Sequence, residues 1–400
     1  MKKYSVAIVG GGITGLSVAE HLRQFGIDDI VLIDPYQVAS TSSMAAGFVS
    51  GGFTDNFSRL THVHGLQESA YMWGFADRAF DFLREFVDEQ EKSGVDGLSF
   101  LCGDRIRVLT SEHELKEAEI AVSQMQSQQI EQRLLLDNKS DSLFSRYSIF
   151  SPGFFGFQIA ESKGGYVQPL KLLAFLRERV ESKALRKRVV RIESNGGPVV
   201  LTCDSGEKVS CEIMVLANHL GMSSLLPELK SCLISYADSW LGFDGGLSGS
   251  GDLDQMAGVC FSFNHGYEWG GVASDRMVFL GGARYLRKNA GIAQSSADAP
   301  EVSIRVGQAL ETKANEYLQI DGRRRLGSLN FGFGCRPCDE LPLIGPMFGE
   351  PRILLATGYM GNGLSFGFYA GYCLAKLIGK GVCDELPRKF WPERLRSLES

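Results

Sequence analysis

Short apolar runs and one amphipathic stretch alternate at the start of the chain. Residues 4–9 and 30–33 are apolar runs that predict two buried parallel strands. Between them, apolar side chains recur at helical spacing over 13–25, and Gly26 is a typical residue at a helix end. The pattern predicts a strand–helix–strand unit of the usual length.

Farther along, the apolar pattern changes to short strands at about residue 227 and returns to that of a parallel strand at about residue 352. We therefore predict two domains built from separated segments. Helices are predicted over 69–90, 111–130, 171–180, 302–317 and 364–378, and strands over 103–110, within 188–211, over 212–217 and over 352–357. Between 227 and 333, short strands alternate with glycine-rich turns. We expect a doubly wound α/β domain and a β-rich α+β domain. The predicted ranges are 1–85, 150–226 and 335–400 for the first domain, and 86–149 and 227–334 for the second.

Composition narrows the class of protein. The chain has 400 residues, of which 44% are hydrophobic and 22% charged, so a disordered chain is excluded. The net charge of −6 lacks the basic field that attracts nucleic acid, and no nucleic-acid partner is expected. Nine cysteines, an odd number spread thinly, predict a reducing compartment and hence a cytoplasmic protein.

Two apolar stretches resemble membrane signals. The N-terminal run follows two lysines but lacks a small-residue cleavage site, so no signal peptide is predicted. The stretch 353–375 carries no charge and is long enough to span a bilayer. Because Gly361 and Gly363 would interrupt a continuous span, we predict a strand, a turn and a packed helix there instead.

A glycine motif lies between the first strand and the first helix. Gly10-Gly11-Gly12-Ile13-Thr14-Gly15 matches G-x-G-x-x-G in the strand-to-helix context where that motif binds a dinucleotide. The three motif glycines permit the tight turn, the approach of pyrophosphate and close helix–strand packing. Asp34, 19 residues after Gly15, lies where a carboxylate accepts hydrogen bonds from a ribose. The motif does not choose between FAD and NAD.

Six further segments, in order, resemble the FAD enzymes of the D-amino-acid oxidase / glycine oxidase / sarcosine oxidase family. They are the loop 40–47, the run 164–169, the pair 189–190 where a strand of the family typically meets adenine, the strand end 215–219 with His219 in place of the usual glycine, the pair of segments 334–337 and 339–345, and the turn 357–363. The resemblance implies FAD as cofactor. It assigns the first predicted domain to FAD and the second to the substrate, and it predicts no metal.

The resemblance also implies which residues hold the flavin. Besides Gly10, Gly12, Ile13, Thr14, Gly15 and Asp34, these are Ser42, Ser43, Ala46, Gly47, Val190, Ala217, Gly358, Met360, Gly361, Asn362, Gly363 and Leu364. A physical reason supports the last group independently. Backbone N–H groups of 359–363 and the start of the following helix can stabilise negative charge on a reduced flavin.

Arg336, in a segment similar to the family's G-x-R-P, is implied to bind a substrate carboxylate. The family's Asp usually follows that Arg by five positions, whereas Asp339 follows by three, so an ion pair with Asp339 or Glu340 is the alternative. Tyr267, Trp269, Arg284 and Tyr285 are expected to line the pocket, with Arg284 as a second anchor. The alternative is that these aromatic residues form a core.

The histidines and the Cys335–Cys338 pair carry weaker signals. His62, His64 and His219 receive no catalytic role, because such histidines are more often simply hydrogen-bonded. Cys335 and Cys338 form a C-x-x-C without further zinc ligands nearby in sequence. A redox disulfide and a covalent cysteine–flavin bond stay open.

The expected reaction is oxidation of an amino acid or secondary amine to an imine, with a hydride passing to FAD and O2 yielding hydrogen peroxide. The alternatives are a dehydrogenase that uses a quinone or protein acceptor, an oxidase of tRNA wobble-uridine modification, and an FAD-binding scaffold or redox sensor. No lysine lies between Val272 and Arg284, where sarcosine oxidases have one that activates oxygen. The sequence predicts no oligomeric state.

Overall fold

The structure is a computed structural model. It describes residues 1–36, 40–136, 147, 149–245, 252–319 and 324–398.

The strands follow one another along the chain as β1 (Lys2–Val9), β2 (Ile30–Ile33), β3 (Phe48–Ser50), β4 (Phe100–Leu109), β5 (Arg133–Leu136), β6 (Gly156–Val167), β7 (Ala184–Leu185), β8 (Val189–Glu193), β9 (Val199–Cys203), β10 (Lys208–Leu216), β11 (Leu233–Asp244), β12 (Cys260–Phe263), β13 (Glu268–Val272), β14 (Met277–Gly281), β15 (Arg324–Pro337), β16 (Leu343–Met347) and β17 (Glu350–Thr357).

The α-helices are α1 (Ile13–Gln24), α2 (Phe57–His64), α3 (Leu66–Lys92), α4 (Glu112–Ser127), α5 (Pro169–Val180), α6 (Met222–Leu225), α7 (Asp252–Gln255), α8 (Pro300–Tyr317) and α9 (Gly363–Lys380). The predicted helices are confirmed, with ends that shift by a few residues. The uncharged stretch 353–375 is a strand, a turn and the start of a helix, as predicted.

The chain divides into two compact units. The first unit comprises Met1–Ala45, Pro169–Tyr236 and Phe333–Ser400, and the second comprises Ala46–Gln168 and Ala237–Gly332. The boundaries predicted from the sequence differ, since they place 46–85 and 150–168 with the first segment of the chain. Those residues belong to the second unit because β3 pairs with β6, and β6 pairs with β4. Parts of the predicted ranges, such as 137–146, lie outside the described residues.

The first unit is built on a parallel sheet. Its order is β16-β17-β10-β1-β2-β7, in which β17, β10, β1, β2 and β7 run parallel to one another and β16 is antiparallel to β17. Four consecutive residues of β1 and all four of β2 are buried, as expected for strands covered on both faces. β9 and β8 extend from β10 as antiparallel strands.

The second unit is built on a mixed sheet. Its order is β15-β11-β14-β13-β12-β4-β6-β3, with β5 beside β6. Leu241 and Leu280 face a large apolar core that includes residues of α8. The alternate residues, Trp240 and Phe279, face the opposite side in a smaller aromatic cluster. The period-two alternation of the strands therefore separates a structural face from a second, aromatic face.

In the described residues, no helix combines the length and apolarity needed to cross a bilayer.

Candidate functional site

The predicted glycine turn lies at the carboxyl end of β1. Gly10 has a φ of +113°, and a Cβ built there would lie 2.6 Å from the Ala217 carbonyl oxygen. A Cβ on Gly15 would lie 1.9 Å from the Gly10 carbonyl oxygen. Only glycine fits either position, so the turn brings the start of α1 against the end of β1.

The Asp34 carboxylate at the end of β2 reaches the same turn. Its Oδ2 accepts a hydrogen bond from the Gly11 backbone N–H at 2.7 Å, and its Oδ1 accepts one from the Tyr36 N–H at 2.7 Å. Each oxygen keeps a further lone pair. The structure thus joins the predicted acid to the predicted glycine turn.

The loop after β2 approaches the start of α1. Ser42 Oγ accepts a hydrogen bond from the Ile13 N–H at 3.1 Å. A Cβ on Gly12 would lie 3.3 Å from the same oxygen. Ser43 closes a turn on Ser40, with its Oγ donating to the Ser40 carbonyl at 2.8 Å. Ser42 therefore lies beside the N-terminus of α1.

α1 and α9 pack side by side and run in the same direction. A Cβ on Gly367 would meet Thr14 Oγ1 at 2.7 Å, and a Cβ on Gly371 would meet Ser17 Cβ at 2.5 Å. The Thr14 and Tyr359 hydroxyls share a hydrogen bond of 2.9 Å. The two N-termini therefore lie at one edge of the sheet, and their dipoles add there. The sequence predicted residue 359 in the flavin turn and a packed helix after it. It did not indicate the hydroxyl contact of Tyr359 or the partners of Gly367 and Gly371, although a glycine spacing of four within a helix is a signal for close packing.

The turn after β17 forms the second strand-to-helix junction of this edge. Gly358, Met360 and Gly361 all have positive φ, at 78°, 51° and 95°. Asn362 is the N-cap residue of α9, but its side chain makes no capping hydrogen bond. Asn362 therefore does not cap the backbone N–H groups of Gly363 and Leu364 at the start of the helix. Burial raises the pKa of Tyr359 well above its usual range, so its hydroxyl stays neutral.

β10 ends in the same place. The Ala217 N–H donates to the Val9 carbonyl at 2.8 Å, which holds it beside Gly10. His219 has a φ of +54°, the left-handed conformation that favours glycine, which is the residue that the family resemblance leads us to expect there. Burial lowers the pKa of His219 to about 4, so the ring is neutral at pH 7.

Three further residues predicted to bind the flavin belong to other segments of the chain. Val190 falls at a bulge of β8, between Val189 and Arg191, where it has no ladder partner and is 50% exposed. Ala46 and Gly47 begin the second unit. The Gly47 carbonyl accepts a hydrogen bond from the Val167 N–H at 3.0 Å.

Arg336 forms an ion pair with Glu340, four residues farther along. Asp339 is bound instead by Arg394, whose Nε lies 2.5 Å from Oδ2. Of the two partners considered for Arg336, the structure selects Glu340. The guanidinium remains partly accessible, with 24% of the side chain exposed.

In the second unit, Arg284 lies near Asp238 and helps to stabilise its charged form. Burial nevertheless raises the pKa of Asp238, which accepts a hydrogen bond from Trp269 Nε1 at 3.1 Å. Tyr267 and Tyr285 are 48% and 52% exposed, so they are surface residues of this unit and not core residues. The structure brings Arg284 and Trp269 to one carboxylate.

The aromatic face of the second sheet is larger than the sequence indicated. Trp240 pairs with Gly281 from one side and Trp269 pairs with it from the other, so both indoles lie on one face. The Trp269 ring lies over Gly281, where a Cβ would be 2.4 Å from the ring. Phe48 and Phe279 continue this face, with ring centroids 5.6 Å apart. Alternation along 238–243 is the signal that would have identified Trp240.

A small polar pocket lies elsewhere in the second unit, against α2 and α3. Its lining residues are Asn56, Phe57, Trp73, Arg105, Arg107, Gln132 and Gln158. The pocket has room for one water molecule and not for an amino acid. Three buried atoms on its lining residues have no hydrogen-bond partner: Asn56 Oδ1, Trp73 Nε1 and Gln158 Oε1.

His62 and His64 lie in the last turn of α2. Over the described ranges, no group of three or more His, Cys, Asp or Glu side chains has the arrangement of a metal site.

Comparison with known proteins identifies the family of the chain. The family model for FAD dependent oxidoreductases called DAO matches residues 5–377. No curated protein matches the chain significantly in sequence.

Solved structures with the same fold include three amine- or amino-acid-related enzymes. Glycine oxidase from Geobacillus kaustophilus has a TM-score of 0.73 at 16% identity, covering 98% of both chains. Iminodiacetate oxidase from Chelativorans sp. BNC1 has 0.72 at 18% identity, covering 97% of this chain and 98% of that chain. L-proline dehydrogenase from P. horikoshii has 0.75 at 14% identity, covering 99% and 98%.

Proposed function

Because the chain belongs to the DAO family of FAD dependent oxidoreductases, we propose that it oxidises an amino acid or a secondary amine to the imine, which water then hydrolyses. FAD, when bound, supplies a two-electron acceptor for the hydride that leaves the carbon next to nitrogen. The similar structures named glycine oxidase, iminodiacetate oxidase and L-proline dehydrogenase support this class of substrate.

The carboxyl edge of the first sheet supports the assignment of the cofactor site. Four adjacent parallel strands end there at Gly10, Asp34, Ala217 and Gly358. The steric limits at Gly10 and Gly15 fit a turn that a phosphate approaches closely. The Asp34 oxygens keep lone pairs for ribose hydroxyls. This edge is the observation on which the proposal rests.

α1 and α9 would hold two different parts of such a cofactor, the pyrophosphate and the flavin ring. The start of α1 offers backbone N–H groups and a positive dipole to pyrophosphate. The turn 358–363 and the start of α9 offer a second positive end, which suits the negative charge of a reduced flavin ring. The neutral Tyr359 hydroxyl shares a hydrogen bond with the Thr14 hydroxyl, which links the start of α1 to the turn before α9.

Arg336 is the proposed carboxylate anchor. A substrate carboxylate would replace Glu340 as its partner, so Glu340 competes with the substrate. Arg336→Ala should raise KM for a carboxylated substrate about 10- to 100-fold, since it removes a charge-assisted pair. Glu340→Gln should lower KM. Unchanged kinetics in Arg336→Ala would exclude Arg336 from the site and favour Arg284 as the anchor.

An anaerobic screen tests the function itself. Each candidate amine or amino acid is added to the flavin-loaded protein, and the oxidised-flavin absorbance is followed. Bleaching by a substrate supports the proposal, whereas a flavin that no amine or amino acid bleaches supports a scaffold or redox sensor.

The reoxidation step identifies the acceptor. We propose O2, with hydrogen peroxide as product, and a quinone or a protein as the alternative. Peroxide formed at the rate of substrate oxidation supports an oxidase. Recovery of absorbance only with an added quinone would replace that proposal by a dehydrogenase. A cytoplasmic location stays a prediction from the cysteine content.

A further inference from the structure

Cys338 lies in the turn that follows β15, close to Cys232. The Cys338 backbone N–H donates to the Cys232 carbonyl at 2.9 Å. Cys338 is exposed, whereas Cys232, which directly precedes β11, is 6% exposed. Cys335, the other member of the C-x-x-C, is 3% exposed in the core beneath the first sheet. The neighbour of Cys338 is therefore a cysteine more than 100 residues away in sequence.

The positions of Cys232 and Cys338 suit a disulfide. Cys338 directly follows β15 and Cys232 directly precedes β11, and these two strands are neighbours in the sheet. Residues joined by a backbone hydrogen bond in an antiparallel ladder have Cα atoms about 5.5 Å apart, within the range of about 4.4–6.8 Å that disulfides require. Cys232 contributes to raising the pKa of the Cys338 thiol, which places the two side chains close to each other. Little backbone movement is needed to join the sulfur atoms.

We propose that Cys232 and Cys338 form a reversible disulfide when the protein meets a peroxide. The Cys338 thiol first loses its proton. The thiolate then attacks one oxygen of hydrogen peroxide, the O–O bond breaks, and the sulfur becomes a sulfenic acid while the leaving hydroxide takes up a proton to give water. The Cys232 thiol then attacks that sulfur, its S–H and the S–OH bond break, and a second water leaves. Two thiols are oxidised by two electrons and one peroxide is reduced to two water molecules.

The disulfide would form in the turn that directly follows Arg336. The turn between Pro337 and Glu340 carries the Arg336–Glu340 pair and the Asp339–Arg394 pair. The disulfide would tie this turn to the start of β11 within the first unit. Burial, Cys232 and Asp339 raise the pKa of the Cys338 thiol, so oxidation should accelerate as the pH rises above neutral.

The test uses the full-length reduced protein with hydrogen peroxide as the probe. After treatment at pH 8, remaining thiols are alkylated under denaturing conditions and the intact mass is measured. We expect two fewer alkylated thiols and, without alkylation, a loss of about 2 Da, both reversed by dithiothreitol. An unchanged thiol count, or a gain of oxygen at Cys338 without a disulfide, would overturn the proposal.

Variants identify the partners, because trypsin leaves Cys335 and Cys338 on one peptide. Cys338→Ser and Cys232→Ser should each abolish the loss of two thiols, with Cys232→Ala as a second variant at the buried position. Cys335→Ser should retain it. If Cys335→Ser abolishes the loss and Cys232→Ser retains it, the C-x-x-C itself is the redox pair and the proposal fails.

Cys373 and Cys383 provide a matched control. Cys383 contributes to raising the pKa of Cys373, so these two side chains also lie close together, but they are 0% and 9% exposed, so peroxide reaches them poorly. Cys383→Ser should leave the disulfide of Cys338 unaffected. A loss of two thiols that disappears in Cys383→Ser and persists in Cys338→Ser would contradict the proposal.

Discussion

The first unit assembles its site from backbone atoms and small residues, whereas the second unit buries charged side chains. At the carboxyl edge of the first sheet, Gly10, Gly15 and Gly367 are each too close to a neighbour for a Cβ. In the second unit, Arg287 and Asp298 form an ion pair at 2.6 Å with side chains only 1% and 3% exposed. The first arrangement is sensitive to volume and the second to charge.

Asp298→Asn should have the largest effect on stability, because it leaves the buried Arg287 charge without its partner. Arg287 donates to Asp298 through both Nε and Nη2 and to Ser239 Oγ at 2.6 Å. Breaking such a pair costs about 3–5 kcal/mol, measurable as a lower free energy of unfolding in urea.

The double variant Arg287→Met with Asp298→Leu is the control for this effect. It removes both charges, so much of the lost stability should return. If the double variant is as unstable as Asp298→Asn, packing and not charge explains the loss, and the contrast between the units is weakened.

Acidification should act on the two units with opposite signs. Burial lowers the pKa of His21 to about 4 from 6.5, so the first unit loses stability as the pH falls from 6.5 towards 4. The largest loss in the free energy of unfolding from this ring, which is 1% exposed, is about 3 kcal/mol. Burial raises the pKa of Asp77 in the second unit to about 6 from 3.8, so that unit gains stability as the pH falls through 6.

Hydrogen exchange, corrected for the intrinsic effect of pH, measures this difference. Peptides from α1 should lose protection between pH 7 and pH 5 before peptides from α3 do. His21→Asn should flatten the response of α1, since it removes the titrating ring but keeps a donor for the Ser17 carbonyl. Equal loss of protection in both helices, unaltered by His21→Asn, would contradict the proposed contrast.

Gly15→Ala should cost about 1–3 kcal/mol and should also release flavin, because the new Cβ forces α1 away from the end of β1. Gly74→Ala is the matched control, because Gly74 lies within α3 and, apart from the backbone of its own helix, no atom of the described residues lies within 4 Å of the added Cβ. We expect that variant to be slightly more stable. Flavin content and unfolding in urea measure both effects, and full flavin loading of Gly15→Ala would rule out the close approach as a requirement for binding.

The sequence by itself determined the elements and motifs whose cause is local. The strand–glycine–helix–Asp34 series and the later glycine turn depend on backbone conformation and on period, which neighbouring residues express directly. Those signals predicted the α/β class, and with the resemblance they predicted the family and its FAD. The positive φ of His219 shows that even the unusual residue keeps the local geometry of the glycine it replaces.

Only the tertiary structure decided which distant residues meet. It paired Arg336 with Glu340 and not Asp339, placed Cys338 beside Cys232, and assigned 46–85 to the second unit through the pairing of β3 with β6. It also revealed Trp240 on the aromatic face and the buried Arg287–Asp298 pair. Contacts of this kind depend on strand order and register, which no short window of sequence contains, whereas a turn or a helix start is determined by the few residues that form it.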